Sequence, residues 1–307
     1  MAAARAGDRA ALARLLSLIE QGGEPARAVG RLSHPHGGAV YTVGMTGAPG
    51  SGKSTLTSEL ITTIRRQSLD VAVLAIDPSS PFSGGAILGD RVRMQDHATD
   101  SGVFIRSMAT RGHLGGLALA VPEAVRLLDA LDREWVLIET VGVGQVEVEV
   151  AGEADTTVVV VNPGWGDSVQ ANKAGLMEIA DIFVINKADR KGVEETRRDL
   201  EVMLELGELG EWRPPILTTI ATKGEGVDAL WNAIGEHRRY AESSGLLERR
   251  RTQRLRTELR EIVARRLEER ARRLCTGTTW DELEAEVEAR RLDPWTAADR
   301  MLDGLTD

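Results

Sequence analysis

Apolar residues recur at helical spacing near the start of the chain. Leu12, Leu15, Leu16 and Ile19 follow Asp8, a candidate N-cap, and predict one short amphipathic helix. The Gly22-Gly23 pair reads as its stop, and residues 33–38 (Ser-His-Pro-His-Gly-Gly) read as a linker. From residue 40 to about residue 240 the pattern changes to short, β-branched runs that do not alternate with polar residues. They predict strands at 40–46, 71–76, 103–107, 135–139, 156–161, 182–186 and 216–220. Such runs fit strands covered on both faces of a parallel sheet. Helical periodicity fills most of the gaps, at 53–66, 117–131, 169–179, 194–206 and 227–240. This alternation predicts an α/β fold with a doubly wound, mostly parallel sheet, whose ligands sit at the carboxyl ends of the strands.

After Gly245 the pattern turns wholly helical. Residues 248–273 hold eleven arginines and five glutamates, with Leu255, Leu259, Ile262, Val263 and Leu267 on one stripe. Trp280, Leu283 and Val287 mark a second helix, and Asp293-Pro294 starts a third. The arginines read as a solvated face, whereas the stripe must pack on the main domain or on a second subunit. The expected division is a helix and linker at 1–38, a nucleotide-binding domain at 39–240 and a helical arm at 241–307.

Composition narrows the function. The 307 residues are 42% hydrophobic and 28% charged, enough for a real core. A net charge of −9 argues against nucleic acid as the main partner. The single cysteine, Cys275, rules out an intramolecular disulfide and any cysteine-based zinc or iron–sulfur site. The apolar runs are too short to cross a bilayer and the N-terminus has no secretory pattern, so no membrane partner and a cytoplasmic location are expected. His34 and His36 fall in the predicted linker without other ligands and are read as solvated.

The chemistry begins at Gly47-Ala48-Pro49-Gly50-Ser51-Gly52-Lys53-Ser54-Thr55, which fits G-x-x-x-x-G-K-[ST] between a predicted strand and a predicted helix. Glycines let backbone N–H groups converge on phosphate oxygens, and the helix N-terminus adds its dipole. Lys53 would neutralise the β- and γ-phosphates, and Ser54 would offer its hydroxyl to Mg²⁺. About 135 residues on, Asn186-Lys187-Ala188-Asp189 ends a strand and fits N-K-x-D. The Asp189 carboxylate can accept from the ring N–H and exocyclic amine of guanine, which adenine does not offer. Lys187 can lay its aliphatic stem over the base, and Asn186 can brace neighbouring loops. The ligands implied are GTP or GDP with Mg²⁺.

Asp77 after one strand, Glu139 at the end of another and Asp90 in the glycine-rich stretch 83–90 are the candidate metal-shell and catalytic carboxylates. In Glu139-Thr140-Val141-Gly142-Val143-Gly144-Gln145, Gly142 and Gly144 permit close approach to a γ-phosphate, and Gln145 is the candidate to position water. At 219–222 the backbone of Ala221 is the expected last guanine contact.

Together these segments, with Ala75-Ile76-Asp77-Pro78-Ser79-Ser80-Pro81 and the run 84–94, resemble the MeaB/ArgK-type GTPases. Those are G-protein chaperones of adenosylcobalamin-dependent methylmalonyl-CoA mutase. The resemblance covers most of residues 8–240. It implies a GTPase that gates cofactor transfer into the mutase and protects or reactivates it. It also implies that Asp77, Asp90 and Glu139 serve Mg²⁺ and catalysis, and that residues 163–173 form a third switch facing the mutase through Asp167, Gln170 and Lys173. By the same resemblance the C-terminal helices are a dimerisation arm, which implies a homodimer.

The chain departs from the family pattern at Trp165, within Gln170-Ala171-Asn172-Lys173, at Val146 and at Ile220. The departures in the switch region leave the client open among the cobalamin-dependent acyl-CoA mutases. Two other readings stand beside this one. A GTP-driven nickel metallochaperone would need a His or Cys cluster, which five scattered histidines, His97 and His113 among them, do not make. An ATP-using P-loop kinase would need an acceptor pocket with its own base.

Overall fold

The β-branched runs become strands, and those at 41–46, 135–140, 156–161 and 182–186 are buried along their whole length. The computed structural model describes residues 1–77, 97, 99–109, 114–140, 152–164, 178–207 and 210–303, with the backbone alone at 77, 109, 114–119 and 303. Strands β1 (Tyr41–Thr46), β2 (Val71–Asp77), β3 (Val103–Ala109), β4 (Trp135–Thr140), β5 (Thr156–Val161), β6 (Ile182–Asn186) and β7 (Ile216–Thr219) form one sheet of order β3-β2-β4-β1-β5-β6-β7. Every pairing is parallel, with Val43 opposite Leu137 on β4 and opposite Thr156 on β5. The order reverses direction at β1, which places the ligand crevice at its carboxyl end.

On one face α4 (Lys53–Arg66) and α7 (Val227–Ser243) bring Leu56, Leu60, Ile64, Leu230 and Ile234 onto Val43, Val73, Leu137, Val158 and Val184. On the other, the odd–even partners Ala72, Leu74, Val136 and Ile138 meet Leu127 and Leu128 of α5 (Leu114–Asp129). The same cluster holds Leu12, Leu16 and Ile19 of α2 (Arg9–Gln21) and Val29 of α3 (Gly23–Ser33). Farther along, α6 (Val193–Leu206) covers Val159, Val161, Phe183 and Ile185 with Leu200 and Leu204. Burying each Leu or Val of this kind contributes about 1.5–3 kcal/mol relative to exposure.

The N-terminal segment departs from expectation. A four-residue helix α1 (Ala2–Arg5) precedes α2, whose N-cap Asp8 accepts from the N–H groups of Ala10 and Ala11 at 2.8 and 3.0 Å. Gly22 does stop α2, but Gly23 opens α3 at once. The supposed linker is a single 3-10 turn, His34–His36, followed by backbone that is tied down. The Asp129 carboxylate accepts from the N–H groups of Gly38, Ala39 and Val40. The predicted helix at 169–179 falls almost wholly outside the described residues.

The chain divides by contacts into residues 1–254 and 255–307. The first turns of α8 (Leu246–Leu274) belong to the first unit and are fastened by ion pairs. Arg250 grips Asp181 through two bonds of 2.8 Å, and Arg251 and Arg254 both close on Asp155. Both carboxylates are almost fully buried. Burial alone would raise their pKa values, but Arg251 and Arg254 around Asp155, and His237 and Arg250 around Asp181, hold both below the usual carboxylate range. Beside them Tyr41 Oη, Thr156 Oγ1 and His237 Nδ1 form a chain at 2.7 and 2.8 Å that ends on Asp181.

The second unit continues α8 and adds α9 (Thr278–Glu288) and α10 (Pro294–Asp303). Asp293 caps α10, accepting from the Trp295 and Thr296 N–H groups at 3.0 Å. Leu255, Leu259, Val263 and Leu267 of α8 are all at least half exposed.

Candidate guanine-nucleotide site

Strand β1 ends at Thr46 and α4 begins at Lys53, so residues 47–52 form the turn between them. Two glycines make that turn possible. Gly47, at φ +133°, lies so close to β5 that a Cβ would strike the Val160 carbonyl. Gly52, at φ +94°, lies so close to the Asn186 amide that a Cβ would collide with it. The loop is therefore seated against the carboxyl ends of β5 and β6.

Within the loop the Lys53 ammonium donates to the carbonyl of Gly47 and, at 3.1 Å, to that of Ala48. Ser54, on the first turn of α4, donates to Glu139 Oε1 at 2.6 Å. Glu139 is 1% exposed near the end of β4, opposite Met45 on β1 and Ala75 on β2. Asp77 stands at the end of β2, one step past the Ile76–Thr140 pair, so the backbone brings it to the same edge as Glu139.

The base loop is tied to the phosphate loop through one side chain. Asn186 donates from Nδ2 to the Ser51 carbonyl at 2.8 Å. Its Oδ1 accepts from Thr219 Oγ1 at 3.1 Å and from the Ala221 N–H at 3.2 Å. The backbone of Ala221, expected on guanine, thus gives its N–H to Asn186 in this structure. Lys187 holds a left-handed φ of +59°, uncommon for a residue with a side chain. It aims its ammonium at the Gly50 carbonyl at 2.5 Å. Burial first, and then the nearby Arg190, push the Lys187 ammonium below the ordinary lysine range, against the pull of Asp189. Asp189 is exposed, on a loop held by the Ala188 N–H to the Thr219 carbonyl at 3.0 Å.

The structure therefore brings together Gly47 to Thr55, Glu139, Asn186 to Asp189 and Ala221 around the carboxyl ends of β1, β4, β5 and β6. Asp90, Gly144, Gln145, Trp165, Asp167, Gln170 and Lys173 lie outside the described residues, as does the side chain of Asp77. Two contributors were missed from sequence. Thr219 stood in view beside Ala221, and its hydroxyl is a partner of Asn186. Asn162 donates to the Gly50 carbonyl at 3.4 Å, and its only sequence signal is a polar residue after four valines.

A phosphate-cradling loop whose base loop is N-K-x-D fits a guanine nucleotide, and the comparisons agree. Residues 12–275 match the family described as methylmalonyl Co-A mutase-associated GTPase MeaB. The chain belongs to the MeaB family. It is 50% identical over 301 residues to a candidate GTPase of Pyrococcus abyssi, covering 96% of this chain and 93% of that one. It is 39% identical over 258 residues to the GTPase ArgK of Escherichia coli, covering 81% of this chain and 78% of that one. Among solved structures, one described as an LAO/AO transport system kinase superposes with a TM-score of 0.72 at 29% identity, covering 99% of this chain and 95% of that one. As a MeaB-family member the chain is a GTPase, and the sheet with its flanking helices is that of a P-loop GTPase. No described helix is long and apolar enough to cross a membrane.

Proposed function

We propose that this MeaB-family GTPase is the chaperone of an adenosylcobalamin-dependent acyl-CoA mutase of the methylmalonyl-CoA type. Its GTP cycle would gate cofactor loading and protect or reactivate the mutase. The match of residues 12–275 to a mutase-associated GTPase family carries this reading. The tie from Asn186 to Ser51 supports its nucleotide-binding half, because one side chain joins the base loop to the phosphate loop.

Hydrolysis forms a bond from a water oxygen to the γ-phosphorus and breaks the β–γ bridging bond, whose electron pair leaves with GDP. The Lys53 ammonium and the N-terminus of α4 would stabilise the charge that builds on the phosphate oxygens. Mg²⁺ takes hard oxygen donors, usually one or two carboxylates plus substrate phosphates. The Ser54 hydroxyl and the Glu139 carboxylate, 2.6 Å apart where α4 begins, are donors of that type. Ser54, Asp77, Asp90 and Glu139 would hold the ion or its waters, and when bound it would neutralise the β- and γ-phosphates. Gln145 would orient the attacking water. Asp189 would read guanine, with Gly144 close to the γ-phosphate and Ala221 at the base edge. Asp167, Gln170 and Lys173 would carry the nucleotide state to the mutase.

A cytoplasmic homodimer completes the proposal. The exposed stripe Leu255, Leu259, Val263 and Leu267 supports it, since four aliphatic side chains at four-residue spacing would be covered by a second copy.

The test is steady-state GTP turnover, alone and with the acyl-CoA mutase of the same organism. Stimulation of turnover by the mutase is the expected result. GTP turnover that the mutase leaves unchanged would overturn the client and leave the GTPase standing.

A further inference from the structure

Strand β5 reads Thr-Thr-Val-Val-Val-Val and is followed at once by Asn162-Pro163-Gly164. Side chains alternate along a strand, and Val158 and Val160 lie on the face that packs against α4. A residue before proline is biased toward extended backbone, so Asn162 continues that register and falls on the face of the phosphate loop. Its Nδ2 lies 3.4 Å from the Gly50 carbonyl, while its Oδ1 is sealed from solvent without a hydrogen-bond partner. An amide is kept in such a place only where something else gains from it.

The Gly50 carbonyl receives a second donor, the Lys187 ammonium at 2.5 Å. Both donors draw that oxygen out of the loop. The 50–51 peptide is trans and planar, so turning its carbonyl outward turns the Ser51 N–H the opposite way. That N–H points inward, to the Ala48 carbonyl at 3.1 Å, the same oxygen that accepts from Lys53 at 3.1 Å. The inner side of the loop, where Lys53 and Ser51 present their donors, is where a phosphate would be held.

We propose that Asn162 is a positioning residue for the nucleotide phosphates: together with Lys187 it fixes the 50–51 peptide so that the Ser51 N–H faces into the loop. Lys187 sits in the base loop, so its hold on Gly50 is tied to the base. Asn162 is neutral, directly follows β5 and acts on the phosphate loop alone. The proposal rests on the GTPase reading and is independent of the mutase.

The experiment uses the full chain and measures GDP binding by calorimetry, GTP against ATP competition, KM and kcat for GTP, and melting without nucleotide. Asn162→Ala should weaken GDP about fivefold, the size of one lost hydrogen bond. Its loss should fall on KM more than on kcat, with guanine preference retained because the base loop is untouched. Asn162→Asp is nearly the same shape but cannot donate, and it sets a negative charge beside the anion. It should weaken GDP further, by about twentyfold or more, and it carries the test if the alanine variant fails to fold. GDP affinity unchanged in both variants would overturn the proposal, as would a lowered melting temperature with GDP affinity unchanged. Failure of the wild-type chain to bind GDP would instead overturn the GTPase reading.

Discussion

Replacing Asn186 with alanine tests whether one side chain joins the two halves of the nucleotide site. The substitution removes the 2.8 Å bond to the Ser51 carbonyl and the two bonds, at 3.1 and 3.2 Å, received from Thr219 and Ala221. Asn186, Thr219 and Ala221 are all at most 3% exposed, so water cannot readily replace what is lost. Three neutral bonds at about 0.5–1.5 kcal/mol each give about 1.5–4.5 kcal/mol, and a buried N–H left without an acceptor adds about 1–3 kcal/mol. The hydroxyl of Thr219 can rotate to another partner, whereas the Ala221 N–H cannot, so a total of about 3–5 kcal/mol is expected.

For a unit of this size that is a fall of roughly 10 °C in melting temperature. The assay is urea unfolding with and without saturating GDP, since a ligand stabilises the fold by an amount set by its dissociation constant. The variant should lose stability without nucleotide and gain less from GDP than the wild type does. Asn186→Asp separates the two halves of the tie, because it keeps an acceptor for Thr219 and Ala221 but faces the Ser51 carbonyl with oxygen. It should keep more stability than alanine while binding GDP no better. Two results would refute the reasoning: a loss of less than about 1 kcal/mol without nucleotide, or an undiminished gain from GDP.

Three further outcomes are expected. Asp189→Ala should erode the preference for GTP over ATP by at least about tenfold in a competition assay, and full retention would remove Asp189 from the base site. Asp155→Asn should destabilise the chain by about 3–5 kcal/mol, because Arg251 and Arg254 lose their buried charge partner. The fold depresses the pKa values of Asp155 and Asp181, so their contribution is fully present above the unfolded value near pH 4 and is lost as pH falls through the lower folded values. The melting gap between wild type and Asp155→Asn should therefore narrow below about pH 4, and a gap constant down to pH 3 would contradict the ion-pair account. Finally, Leu259→Glu with Val263→Glu should convert a dimer to monomer in sedimentation, and an unchanged oligomer would place the contact elsewhere.

The parts legible in the sequence were those whose signal is contiguous. The strands declared themselves because both faces of the central ones are covered, leaving runs such as 71–76 and 158–161 without polar interruption. The phosphate loop and base loop did so because glycine, lysine and carboxylate must stand at fixed offsets to cradle phosphate and base. The second N-terminal helix was hidden by Gly22-Gly23, since a glycine pair usually ends structure, and here Gly22 alone separates α2 from α3. The arginine run was read as solvated because its partners are remote. Arg250 meets Asp181 across 69 residues and Arg251 meets Asp155 across 96, and no local period records such a pair. Asn162 escaped for the same reason, its partner Gly50 lying 112 residues away.

These hidden residues follow one rule of placement. In β5 and β6 the middles are apolar and the polar side chains stand near the ends, where backbone groups leave the ladder and need partners. At the amino ends Asp155 accepts from the Thr42 N–H and Asp181 from the Thr157 N–H, at 3.0 and 2.8 Å, and each also takes arginine from the root of α8. At the carboxyl ends Asn162 and Asn186 reach the carbonyls of Gly50 and Ser51. The type of side chain follows the group to be met. Carboxylates serve the amino ends, where N–H groups and guanidinium donors gather, and amides serve the carboxyl ends, where a carbonyl must be grasped by a donor that adds no charge beside an anionic ligand. A carboxylate at either asparagine would repel both the carbonyl and the nucleotide, whereas an amide at either aspartate would leave half-buried arginines without a counter-charge. That difference is why Asn162→Asp and Asp155→Asn, chemically reciprocal changes in one strand's flanks, are expected to fail in different assays, the first in nucleotide affinity and the second in stability.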